Sequence, residues 1–157
     1  MGSMTADLMD ASKGAYQSCE TQFRQFGAHT RFEGPIRTVT CDNDTVLLKR
    51  LLAEPGEGQV LIVDGGASMH SALLGDLTAT KAAELGWAGI VVYGAVRDVE
   101  ALAAVTIGIK ALGTSPRKPR QEGTGTVDAD VTFGGVTFRP GRTVWSDADG
   151  LITLPLP

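Results

Sequence analysis

The 157-residue sequence predicts a single α/β domain, a parallel strand–helix–strand crossover joined to a C-terminal antiparallel β meander. Three observations carry this. Residues 60–63 and 90–93 are short apolar runs rich in β-branched side chains, as strands covered on both faces are. Residues 76–86 between them have helical composition, with Leu77, Ala79, Ala82, Ala83 and Leu85 interleaved with Lys81 and Glu84. From Val127 onward the chain breaks into short alternating stretches separated by glycine turns, the pattern of a meander. The 20 glycines fall at strand ends and weigh against a helical bundle.

The elements follow in order. Residues 1–4, Met-Gly-Ser-Met, read as a cloning scar or a disordered start. Residues 5–25 are mixed and polar, with modest helical character and no clear period. Residues 31–41 alternate after Pro35 and read as a strand. Asp42-Asn43-Asp44 then offers N-cap chemistry, and Val46, Leu47, Leu48, Leu51 and Leu52 share a helical face opposite Lys49 and Arg50. Pro55-Gly56 stops that helix. After the crossover, residues 98–104 form a short helix with Asp98 at its start and Glu100 in its first turn, as the helix dipole favours. A strand over 107–112 and a loop over 113–125 lead into the meander.

Composition excludes several functions. A net charge of −4 argues against a broad nucleic-acid footprint, which needs a basic surface. The one basic cluster, Arg117-Lys118-Pro119-Arg120, is short and reads as a solvated loop. Cys19 and Cys41 make neither a disulfide framework nor a metal spacing, so free thiols in a reducing cytoplasm are expected. No run approaches the length of a membrane span, and the polar, acidic N-terminus is unlike a signal peptide. Asp64-Gly65-Gly66 lacks the rest of a nucleotide-binding glycine motif and reads as a tight turn. Asp147-Ala148-Asp149-Gly150 lacks the glutamate of a calcium loop and reads as a hairpin turn. With only His29 and His70, no histidine-based zinc site can be built.

What remains is Gly75-Asp76 and, further on, Arg97-Asp98. In a crossover unit both strand exits lie on one sheet edge, where ligands of such sheets bind. One reading makes Asp76 and Asp98 helix caps, with Arg97 pairing to either. The other gives a site: N–H groups of residues 75–78 receive an anion, Arg97 forks onto a carboxylate, and Asp98 touches a hard cation.

The motifs FRQFG (23–27), VLIVDGG (60–66), LLGD (73–76), GWAGIVVYGAVRD (86–98), IGIKALGTSPRK (107–118) and VTFGGVTFRPG (131–141), in this order, resemble the RraA-like family. That family takes in the regulator of ribonuclease activity A and the class II 4-hydroxy-4-methyl-2-oxoglutarate aldolases. The resemblance implies a three-layer β/β/α swivelling domain, assembled as a homotrimer or a stacked hexamer with the site at a subunit interface. It also implies a lyase acting on small oxo-acids through a pyruvate enolate, as aldolase, as oxaloacetate decarboxylase, or as both. Asp98 would anchor a divalent cation, Mg2+ or Mn2+. Arg97 would bind substrate and stabilise developing charge, the backbone of Gly75, Asp76, Leu77 and Thr78 would receive its carboxylate, and Asp76 would position a water for proton transfer.

The aldolases carry a longer C-terminal region that gives an acidic residue to a neighbour's site, and this chain, ending at Pro157, is expected to lack it. Conversely, the ribonuclease-inhibiting bacterial regulator departs from Arg-Asp at the metal position, which this chain keeps. A protein-binding regulator of an RNase E-type endonuclease is the alternative function. An S-adenosylmethionine-dependent quinone methyltransferase ranks third, because the chain lacks that cofactor's glycine-rich loop and is short for the fold.

Overall fold

The computed structural model describes residues 4–157, so the reading of residues 1–3 falls outside the described residues; Met4 already opens a helix. The chain begins with α1 (Met4–Ala11), two short strands β1 (Gln17–Ser18) and β2 (Arg24–Gln25), then β3 (Phe32–Thr40) and α2 (Val46–Leu52). The crossover region holds β4 (Val60–Asp64), β5 (Ala72–Leu74), α3 (Asp76–Glu84) and β6 (Gly89–Val96). It is followed by α4 (Val99–Leu102), β7 (Gly108–Thr114), β8 (Thr126–Val127), β9 (Val131–Phe133), β10 (Val136–Phe138), β11 (Thr143–Ser146) and β12 (Leu151–Thr153).

Ten strands form one mixed sheet whose main path runs β1-β12-β11-β3-β4-β6-β7-β2, with β5 added to β6 and β8 to β3. Its centre, β3-β4-β6-β7, is parallel, and the pairs at either side are antiparallel. The sheet is buried on both faces, which is why its central strands read as continuous apolar runs. Leu61, Val63, Ile90 and Val92 point to one side, where Leu48, Leu51 and Leu52 of α2 and Ala79 and Ala82 of α3 cover them. Val60, Ile62 and Val91 point to the other, under Val131, Phe133, Val136 and Phe138 of the β9–β10 hairpin. Helices, sheet and hairpin make the β/β/α layering. Seven residues are too few for an isolated helix, and α2 is held by its three buried leucines, each contributing about 1.5–3 kcal/mol on burial.

The structure corrects the expected elements in two places. The meander is split: β9 and β10 form their own two-stranded sheet, while β11 and β12 join the main sheet beside β3. The segment before α3 is a strand, β5, that pairs with the end of β6. The N-cap position of α2 is Thr45, which makes no side-chain cap bond; the Asp44 carboxylate supplies the expected cap chemistry by accepting the Val46 N–H, and it also accepts N–H bonds from Glu122, Gly123 and Thr124, so fixing the 122–124 loop. The two set-aside turns behave as turns. Gly66 N–H donates to Asp64 Oδ1, and Asp147 Oδ1 accepts from the N–H groups of Asp149 and Gly150. Both cysteines are free and buried. Among the described residues, no helix is long and apolar enough to cross a membrane.

Candidate active site

Two strand ends build the site. Strand β5 stops at Leu74, whose carbonyl accepts the Arg97 N–H at 2.9 Å and so ties the exit of β6 to the start of α3. Gly75 is the N-cap of α3 in extended conformation, and its carbonyl accepts from Ala79 N–H at 3.1 Å. A Cβ at position 75 would lie 2.7 Å from Asp98 Oδ2, so a larger residue here would push that carboxylate aside.

Asp98 sits in the left-handed region, φ 59° and ψ 42°, which Asp tolerates better than most residues. This turn takes its carboxylate away from its own helix. It makes no cap hydrogen bond to α4 and instead accepts the Asp76 N–H, at the head of α3, through Oδ2 at 3.2 Å. The simple reading of Asp98 as the cap of its own helix is therefore replaced by a bond across the crevice.

Arg97 Nε stands 4.0 Å from the same Oδ2, with both side chains 40% exposed. Among the described residues, that contact is the guanidinium's sole ion pair and it makes no hydrogen bond. The Asp76 carboxylate has no partner there, nor has Asp98 Oδ1. An uncommitted planar fork, two carboxylates with open oxygens and a helix N-terminus converge. Such an arrangement can receive an anionic carboxylate and polarise the groups next to it.

All six expected residues, Gly75, Asp76, Leu77, Thr78, Arg97 and Asp98, line one cavity of about 110 Å³. Leu77 is 83% exposed at its rim. Sequence reasoning missed two cations in the same wall, Lys49 and Lys118, neither of which has a carboxylate within ion-pairing distance among the described residues. Lys118 carried a signal in the short basic cluster. Lys49 carried none, since a lysine on the polar face of α2 looks like any other. His70 is exposed and lines an adjoining cavity with Lys118.

A mixed-sheet α/β domain with an anion-receiving crevice beyond the carboxyl ends of its parallel strands is the class that fold and site define. Within it, the chain belongs to the RraA-like family: the Aldolase/RraA family model matches residues 5–153. It is 44% identical to the structure of the RNA-processing inhibitor RraA from Thermus thermophilus, covering 100% of this chain and 95% of that one, with a TM-score of 0.94. A Geobacillus kaustophilus structure described as an S-adenosylmethionine:2-dimethylmenaquinone methyltransferase is 41% identical over 99% of this chain and 96% of that one, TM-score 0.95. Streptomyces coelicolor RraAS2, described as an unusual member of the RNase ES inhibitor RraA family, is 28% identical over 96% and 77%, TM-score 0.75.

Proposed function

We propose that the protein is a divalent-metal-dependent oxo-acid lyase, cleaving a carbon–carbon bond beside a pyruvyl group in oxaloacetate, in 4-hydroxy-4-methyl-2-oxoglutarate, or in both. The observation that carries this reading is the uncommitted Arg97 guanidinium beside Asp98, which reaches across to the head of α3 inside one cavity. Family membership supports it, because the family model spans aldolases as well as RraA proteins.

The residues present fit a hard cation. Among the described residues no group of three or more His, Cys, Asp and Glu gathers as an all-protein cage. Mg2+ is held instead by one or two carboxylates, with waters and substrate oxygens completing its shell. Asp98, with Oδ1 open, would supply that kind of ligand, and Asp76 lines the same cavity beside it. When bound, the cation contributes Lewis-acid stabilisation of negative charge on the substrate.

The chain's own groups do the rest. The N–H groups of Leu77 and Thr78 lie in the first turn of α3, where no intrahelical acceptor exists, and they receive the substrate carboxylate. Arg97 forks onto the pyruvyl end and opposes the charge that develops as the bond breaks. Asp76 positions a water that gives a proton to the methylene carbon of the pyruvate enolate left by bond cleavage, and solvent reprotonates the resulting hydroxide. The protein acts in the cytoplasm as a homotrimer or stacked hexamer.

A coupled assay of pyruvate formation from each substrate, with and without Mg2+, tests the proposal. Metal-dependent pyruvate release is expected, and its absence with both substrates rejects the lyase. The second reading, a protein-binding regulator of an RNase E-type endonuclease, is favoured by similarity to the Thermus RNA-processing inhibitor. Tight binding to such an endonuclease without metal-dependent turnover would establish it instead.

A further inference from the structure

We infer that Asp149-Gly150 is a site of spontaneous isoaspartate formation, and that this modification loosens the turn through which α1 is fastened to the main sheet. The sequence holds two Asp-Gly pairs, Asp64-Gly65 and Asp149-Gly150. Such pairs are open to this change because glycine has no Cβ to shield its own backbone nitrogen. The structure separates the two.

Isomerisation needs a carboxyl free to turn, a backbone N–H that can be given up, and room for a five-membered ring. Asp64-Gly65 meets none of these needs. Asp64 Oδ1 accepts the Gly66 N–H at 2.9 Å, and Gly65 N–H donates to the Tyr93 carbonyl at 3.0 Å. A Cβ-sized atom beside Gly65 would meet Leu73 Cδ1 at 2.6 Å and the Tyr93 carbonyl oxygen at 2.9 Å. Asp149 is exposed, and its carboxylate has no hydrogen bond or ion pair among the described residues. Gly150 N–H reaches only Asp147 Oδ1, at the long distance of 3.3 Å, and an atom added at Gly150 meets nothing within 4 Å.

The reaction is internal and redox-neutral. Gly150 N attacks Asp149 Cγ; the N–Cγ bond forms, a Cγ–O bond breaks, and the hydroxyl leaves with the amide proton as water. Water then adds to the succinimide at the Asp149 main-chain carbonyl carbon. The bond from that carbon to Gly150 N breaks, and the nitrogen regains its proton. The product has the same atoms, with the chain now routed through Asp149 Cβ and Cγ.

The position matters because this turn is a junction. The Asp147 carboxylate accepts Thr5 N–H at 2.8 Å and Thr5 Oγ at 2.7 Å, and its Oδ1 also accepts Asp149 N–H at 3.0 Å. Lys110 Nζ donates to the Asp147 and Gly150 carbonyls at 2.8 and 3.1 Å, and Gln25 Nε2 donates to the Asp147 carbonyl at 3.0 Å. One added backbone atom between Asp147 and Gly150 alters the spacing of the two carbonyls that hold the buried Lys110 ammonium. A buried charge short of an acceptor is costly, so the turn opens.

Ageing the full chain at neutral pH, followed by peptide mapping and enzymatic methylation of isoaspartyl carboxylates, tests this in wild type, Gly150→Ala and Asp149→Glu. Folded wild type is expected to form isoaspartate about ten-fold faster at 149 than at 64, the effect on a rate of the one good hydrogen bond that Gly65 N–H must surrender. Unfolded in denaturant, the two sites should react alike. Gly150→Ala has room for its methyl and should fold as wild type while reacting more slowly, and Asp149→Glu should not react. The isomerised fraction, separated by chromatography, is expected to melt at a lower temperature and to exchange its α1 amide hydrogens faster. Equal rates at the two sites in the folded chain, or no isoaspartate at 149, overturn the site. An isomerised fraction with unchanged melting and unchanged α1 exchange overturns the coupling to α1.

Discussion

Asp98 shows how one backbone angle redirects a side chain. With φ at 59°, its carboxylate leaves α4 and meets the first N–H of α3 at 3.2 Å. Asn adopts the left-handed conformation as readily and keeps an oxygen to accept that N–H. Asp98→Asn is therefore expected to shift stability by less than about 1 kcal/mol, the scale of a lost charge at a helix N-terminus. As a cation ligand it loses its charged oxygen, and Mg2+-dependent oxaloacetate decarboxylation should disappear. Melting temperature and decarboxylation measured side by side separate the two roles, and a fully active variant removes Asp98 from the metal. Arg97→Lys asks a different question, because it keeps the charge and loses the planar fork. With no other partner among the described residues to hold the guanidinium in place, the fork is free for substrate, and kcat/KM should drop about ten- to hundred-fold with both kcat and KM affected. Unchanged kinetics would make Arg97 a surface ion pair.

Elements meet here through carboxylates that serve a neighbour's backbone. Asp44 is buried, and burial alone would raise its carboxyl, yet the N–H groups of Val46, Glu122, Gly123 and Thr124 outweigh this and hold it at about 2. A depressed carboxyl stabilises the fold fully above the ordinary Asp value of about 3.9 and loses that contribution as pH falls through about 2. Asp44→Asn should unfold more easily than wild type at pH 7, with the difference fading between about pH 4 and pH 2. Denaturant melts across that range check it, and a difference independent of pH would assign the stability to packing alone. Asp147 works similarly on α1, accepting from Thr5 N–H at 2.8 Å and Thr5 Oγ at 2.7 Å, and its carboxyl is likewise lowered against the opposing effect of burial. Only the local bond from Val46 N–H to Asp44 was legible in the sequence; the long-range partners of both carboxylates were not. Asp42-Asn43-Asp44 looks like a local cap, and nothing local reveals acceptors reaching 142 residues along the chain. The leucine stripe of α2 was legible because its period depends only on near neighbours.

Across the whole molecule, what could be read was what both faces of the sheet impose: the apolar runs of β4 and β6, and the Arg97-Asp98 exit that topology sets beside α3. The partition of the last four strands between two sheets was not readable, because alternating residues form hairpins equally well in either. Strand β5 escaped because three residues are too few to show a period. The surface near the site bears on assembly. Leu77 and Val99 are large apolar side chains exposed in the single chain, and they directly follow the two site aspartates. A subunit packed there would cover them and close the open side of the cavity. Light scattering at micromolar concentration should give three times the 16.4 kDa chain mass, or six for a stacked pair of trimers. Leu77→Glu would place a charge in such a contact and should lower the mass; because Leu77 also lines the anion cavity, the mass and not the activity is the readout of assembly. A monomeric wild type that still turns over oxaloacetate would show that one chain carries the complete site. In that case the exposure of Leu77 would be a feature of the cavity rim alone.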